Sequence, residues 1–178
     1  MKLVERKTRE TDVRVEIGQG TGTASVSTQS KFLNHMMGTL ARYSGLDISI
    51  SAKGDLKHHL IEDVGIAVGS AVAGVIPEKC ARYADRTVAM DDALVQAVLD
   101  AGGRAFYDGP LPSNLYEQWM RSFADNAKIT LHIIVLRGND RHHIVEAAFK
   151  ALGLAIRDAL VETDAVFSTK GAVSMESG

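Results

Sequence analysis

The sequence predicts an α+β fold of two similar halves from an internal duplication, each a mixed β-sheet with helices packed on one face. Three observations carry this expectation. The pattern His-His-x-x-Glu occurs twice, as His58-His59-Leu60-Ile61-Glu62 and as His142-His143-Ile144-Val145-Glu146, 84 residues apart. A helix-then-strand pattern precedes each copy at an offset of 83, and one extra residue in the loop Arg137-Gly138-Asn139 makes up the difference. Self-similarity at a nearly fixed offset is the mark of a duplicated unit. Finally, Leu46, Ile48 and Ile50 alternate with Asp47, Ser49 and Ser51, as in a strand that buries one face. The halves are expected at residues 1–80 and 81–178, forming one compact unit joined near 77–81.

The elements follow in order. Residues 12–17 and 21–28 read as strands, with Gly18-Gln19-Gly20-Thr21-Gly22 supplying the turn. A helix over 31–43 is capped by Ser30, places Phe32, Leu33, Met36, Met37 and Leu40 on one face and stops at Ser44-Gly45. A strand over 46–52 leads to the first motif and to a longer helix ending by Pro77, whose Ala and Gly content suits close helix packing. In the second half, 87–99 and 104–107 read as strands, although 92–101 scores equally well as helix. A helix over 115–126, a strand over 128–136 and a last helix running to about 161 complete the pattern.

Composition narrows the function. Lys and Arg total 20 against 22 for Asp and Glu, a net charge of −2, so there is no basic surplus for nucleic acid or anionic lipid. The longest nearly apolar stretch, 65–76, falls far below the roughly 20 residues that span a bilayer. The opening MKLVERKTRE lacks a secretory or lipidation pattern, and Cys80 is the single cysteine; a cytoplasmic protein without disulfides is expected. Walker, dinucleotide, GxSxG and CxxC motifs are absent.

The two motifs point to metal. On a helix, residues i and i+4 share a face while i+1 turns away by about 100°. His58 and Glu62 can therefore grip one ion and His142 and Glu146 another, while His59 and His143 point elsewhere. The simplest closure is a swap, with His143 completing the site of His58 and Glu62, and His59 that of His142 and Glu146. Imidazole with carboxylate suits Mn, Fe, Zn or Ni better than Ca or Mg. Each motif alone reads equally well as an i,i+4 polar pair; its duplication favours metal. His35 is a candidate further ligand, whereas His132 reads as a structural residue within a strand.

Taken together, the residues resemble imidazoleglycerol-phosphate dehydratase, which removes water from imidazole glycerol phosphate in histidine biosynthesis. The markers are Arg9-Glu10-Thr11, Phe32-Leu33-Asn34-His35-Met36, both motifs with Asp63 after Glu62, Met90-Asp91-Asp92-Ala93-Leu94, Gly103-Arg104 and Ser168-Thr169-Lys170-Gly171. The resemblance implies two Mn ions per active site and assemblies of 24 subunits whose sites are built from neighbouring chains. It puts His35, His58, His59, Glu62, His142, His143 and Glu146 on metal-ligand positions, and Gln118 on one that often carries His. It makes Glu10 a substrate-contacting acid and the first candidate for proton transfer, with Glu62 and Glu146 as the other carboxylates. Substrate is expected against Glu10, His35, His58 and His142, with Arg82, Arg104, Ser168 and Lys170 chiefly on its phosphate. The chain departs from the usual pattern at Asn34 (usually Asp), Tyr43 (usually His) and Gln118, and in short loops at 54–57 and 108–113. Two other functions remain open to the residues themselves: a two-metal hydrolase, and metals that only staple subunits together.

Overall fold

In the computed structural model, which describes residues 1–168, the duplication is written in the topology. The first half runs β1 (Lys2–Lys7), β2 (Thr11–Gln19), β3 (Ala24–Ser27), α1 (Lys31–Ser44), β4 (Leu46–Gly54) and α2 (Lys57–Ala73). The second runs β5 (Tyr83–Met90), β6 (Ala93–Asp100), β7 (Phe106–Asp108), α3 (Asn114–Ala127), β8 (Thr130–Arg137) and α4 (Arg141–Ala159). The sheets are ordered β1-β2-β4-β3 and β5-β6-β8-β7. Both are antiparallel except where β3 pairs with β4, and β7 with β8, in parallel across a crossover helix. The fold is α+β, with mixed sheets in two similar halves.

Local chemistry sets the boundaries. Ser30 accepts from the Leu33 N–H at 3.3 Å, and Gly45 ends α1 in the left-handed conformation, φ 75°. Asp140 caps α4 by accepting from the N–H groups of His142 and His143 at 2.7 and 3.2 Å. In β4, Leu46, Ile48, Ile50 and Ala52 are buried, as the alternation requires.

Several expected boundaries move. The stretch 87–99 is two strands rather than one, because Asp91-Asp92 forms a tight turn in which Asp91 adopts φ 47°; 92–101 is strand and not helix. Acidic residues suit such turns because they tolerate a positive φ. Strand β1, with its exposed and charged Lys2, Glu5 and Lys7, gave no alternation to read. Helix α2 stops at Ala73, before Pro77, and α4 stops at Ala159.

Helix α2 lies on β1, β2 and β4, helix α4 lies on β5 and β6, and the two halves meet through α2 on α3 and α1 on α4. The layers are sheet, helices, helices, sheet. At the centre Trp119 stacks on Phe123, with ring centroids 5.2 Å apart and planes 7° from parallel, and Phe149 meets Trp119 at 4.7 Å. Such pairs are worth about 0.5–1.5 kcal/mol each beyond their buried area. The α2–α3 crossing depends on glycine: a Cβ on Gly65 would lie 2.9 Å from the Trp119 carbonyl oxygen, and one on Gly69 only 2.5 Å from that of Phe123. Among the described residues no helix is long and apolar enough to cross a membrane.

Gly69→Ala should therefore force α2 and α3 apart and destabilise the fold by about 1–3 kcal/mol, despite alanine's better helix propensity. Denaturant unfolding of the two forms is the check, and unchanged stability would show that the crossing is not tight.

Candidate metal centre

Close packing makes α1 and α4 run side by side in the same direction, so their first turns meet. His35 on α1 and His142 on α4 each bring Nε2 to 3.1 Å from the same carboxylate oxygen, Oε2 of Glu146. Among the described residues these three offer ligand atoms that all lie within 4.8 Å of one another. Both imidazoles are about half exposed, whereas the Glu146 side chain retains 9%. Burial pushes the Glu146 carboxyl up, but Lys150 at 3.1 Å and His35 outweigh it and hold it below the ordinary value. Lys150 in turn lies 5.8 Å from the centre of the Tyr43 ring. The departure at Tyr43 thus supports the lysine that anchors this carboxylate.

Helices α2 and α3 repeat the arrangement. His58 Nε2 stands 3.8 Å from Glu62 Oε2, and the Gln118 amide donates to Glu62 Oε1 at 3.4 Å. The third member of each group thus comes from the helix preceding the other half's motif. Within one chain this replaces the expected swap. His143 is drawn instead to Asp92 at 2.7 Å and Asp91 at 3.5 Å, and His59 to Asp55 at 2.8 Å and Glu10 at 3.7 Å. Asp92 raises the His143 pKa and Asp55 that of His59, each chiefly through its hydrogen bond. Asp92 itself is held well below the usual carboxylate range by the N–H groups of Asn139 and Asp140 and then by His143. All four helix N-termini line one open cleft of about 590 Å³, through Phe32, Lys57, Asn114 and His142 among others.

The profile of the imidazoleglycerol-phosphate dehydratase family matches residues 28–156. An imidazoleglycerol-phosphate dehydratase of Thermodesulfovibrio yellowstonii is 40% identical over 96% of this chain and 97% of its own length. Another, of Acetivibrio thermocellus, is 41% identical over 94% and 96%. The crystal structure of the Pyrococcus furiosus IGPD in complex with (S)-C348 superposes with a TM-score of 0.85, at 40% identity, covering 96% of this chain and all of that one. The chain belongs to the imidazoleglycerol-phosphate dehydratase family.

The remaining positions that the family resemblance singled out gather elsewhere. Arg82 binds Asp100 with both arms of its guanidinium, Nε at 2.7 Å and Nη2 at 3.1 Å, and donates from Nη1 to the Phe167 carbonyl at 2.9 Å. That grip raises the Arg82 pKa, Asp100 being the main cause. Gly102 makes room for it, since a Cβ there would fall 2.4 Å from Nη2. Arg82 thereby ties the loop that carries exposed Arg104 to the segment that carries Ser168. Lys170 lies outside the described residues. Asn34 accepts from the Thr28 N–H at 3.0 Å, a task its amide oxygen performs as a carboxylate would.

Sequence reasoning missed the polar frame around the histidines. Glu10 occupies the tight turn between β1 and β2, the place Asp92 holds between β5 and β6. That turn is latched to α2 by the Thr11 hydroxyl, which donates to Asp63, and by Arg6, whose Nε lies 3.0 Å from Asp63 Oδ1. Asp63 was visible as the residue after Glu62; its partners, 52 residues earlier for Thr11, were not. In the second half the same two places are taken by buried Ala93 and Ala147.

Asp63→Ala should cost about 1–3 kcal/mol, because it removes the buried carboxylate that the Thr11 hydroxyl donates to and that Arg6 faces. Adding Thr11→Ala should recover part of that loss, since the second half uses an alanine pair there. A double-mutant cycle in denaturant measures the coupling, and strict additivity would dissolve the latch.

Proposed function

We propose that this chain is a metal-dependent hydro-lyase that converts imidazole glycerol phosphate to imidazole acetol phosphate and water in histidine biosynthesis. Family membership supports the reaction. The observation that supports metal dependence is the convergence of His35, His142 and Glu146 within 4.8 Å, a nitrogen and oxygen donor set suited to Mn and other first-row divalent ions. We take two Mn ions per active site, one on His35, His142 and Glu146 and one on His58, Glu62 and Gln118, with His59 and His143 offered to neighbouring chains. When bound, the metals would supply Lewis-acid charge to the imidazole ring, which would favour loss of hydroxide from the carbon attached to it.

The protein's own residues supply the rest. Glu10, more than half exposed beside His59, is assigned the proton of the adjacent carbon, after which the enol ketonises. Glu62 and Glu146 face imidazoles and are read as ligands first. Arg82, Arg104, Ser168 and Lys170 are assigned the phosphate.

An assembly of 24 subunits, in the cytoplasm, completes the reading. Its support is spatial. Arg82 and Asp100 lie at one end of the β5–β6 hairpin and the Asp91-Asp92 turn beside His143 at the other, eight to nine residue steps or about 26–30 Å apart. Phosphate grip and ring site so far apart in one chain are best joined between chains.

Purified protein given Mn and imidazole glycerol phosphate should form the ketone; hydrolysis of model phosphate esters without ketone would favour the hydrolase instead. Glu10→Gln should lower turnover by about 10²–10⁴-fold while leaving metal content intact, which a pure staple would not. Chelation should shrink the assembly, read by light scattering.

Metal affinity should fall as the pH is lowered. His59 and His143 have raised pKa values, so they are protonated at higher pH than a free imidazole and must release that proton to bind. Uptake of Mn should weaken from about pH 8 to about pH 6, and affinity flat across that window would remove both histidines from the ligand set.

A further inference from the structure

The two metal sites of this chain are built on one plan from unequal donors. In the α1–α4 group two imidazoles meet one carboxylate oxygen, each at 3.1 Å. In the α2–α3 group His58 stands at 3.8 Å from Glu62, and the place of His35 is taken by Gln118 at 3.4 Å. An amide oxygen is a poorer donor than imidazole nitrogen to a first-row divalent ion. Preorganisation differs in the same direction: the Glu62 side chain is 34% exposed against 9% for Glu146. Residue 66, which stands where Lys150 anchors Glu146, is isoleucine.

One effect opposes this. Lys150 brings a positive charge to Glu146, which disfavours a cation there. It binds Oε1 at 3.1 Å and leaves Oε2, the oxygen on which both imidazoles converge. The exchange of an imidazole for an amide donor is the larger effect, because it weakens a direct metal bond rather than screening one.

We propose that the α2–α3 site binds divalent metal more weakly than the α1–α4 site, with Gln118 setting the difference, so that the enzyme fills its metals in two steps. The inference rests on the metal-dependent reading above. Filling in steps would make the second metal responsive to the free ion concentration while the first stays bound.

The test is titration of Mn(II) into metal-free protein at fixed pH, following free ion by electron paramagnetic resonance and assembly size alongside. Native protein should show two equal classes of site separated by about tenfold or more in affinity. Gln118→His should tighten the weaker class alone and bring the two together. His35→Gln should weaken the tighter class and bring them together from the other side. A single class in the native protein, or a weaker class unmoved by Gln118→His in a correctly assembled variant, would overturn the proposal. So would a weaker class that answers to His35, which would mean that the Lys150 charge prevails. No bound Mn at all would instead overturn the metal-dependent function itself, so the two failures are distinguishable.

Discussion

The close, parallel contact of helices across the two halves is the constraint on which everything else depends. Gly65 and Gly69 let α2 approach the backbone of α3, and Gly153 does the same for α4 against Tyr43 and Ser44 of α1. Because the helices run in the same direction, their first turns coincide, and side chains there are brought within bonding reach. Wider spacing would carry the His35 ring away from Glu146 without altering any residue of either motif. The helix ends also turn their positive dipole ends to one cleft, those of α2 and α3 without a side-chain cap, which favours the carboxylates there and any anionic partner.

Much of this was legible in the sequence, and the reasons differ by element. The duplication was readable because the motifs recur at a fixed offset, and β4 because its alternation is strict. Helix α1 announced its own start and end through Ser30 and Gly45. Strand β1 was not readable, since an edge strand with solvated charges carries no apolar period. The β5–β6 hairpin was hidden because Asp91-Asp92 interrupts a continuous strand-like composition with a turn that contains no glycine.

For the site, the i,i+4 geometry correctly separated His58 with Glu62 from His59, and His142 with Glu146 from His143. What it lacked was the pairing of helices. Spacing along one helix is a local quantity, whereas the meeting of His35 with Glu146 joins positions 111 apart in sequence. The acids that hold the second histidine of each motif come from turns and loops, where no period marks them. The halves have also diverged in kind: one fixes its turn to its helix with Thr11, Asp63 and Arg6, whereas the other has buried alanines at the places of Thr11 and Asp63 and a turn carboxylate that accepts backbone N–H groups.

The crossing of helices between halves also governs how the chain acquires its shape. Neither half encloses its own helices, since α1 is covered by α4 and α2 by α3. Every such contact is non-local, which raises contact order and slows folding. A first half emerging from the ribosome can complete its sheet, but the inner face of α2 stays bare until α3 has been synthesised and that of α1 until α4 has. Through that interval the nascent chain leaves uncovered the surface of α2 around Gly65 and Gly69 and that of α1 around Tyr43 and Ser44, and its protection from aggregation rests on how quickly the second half arrives.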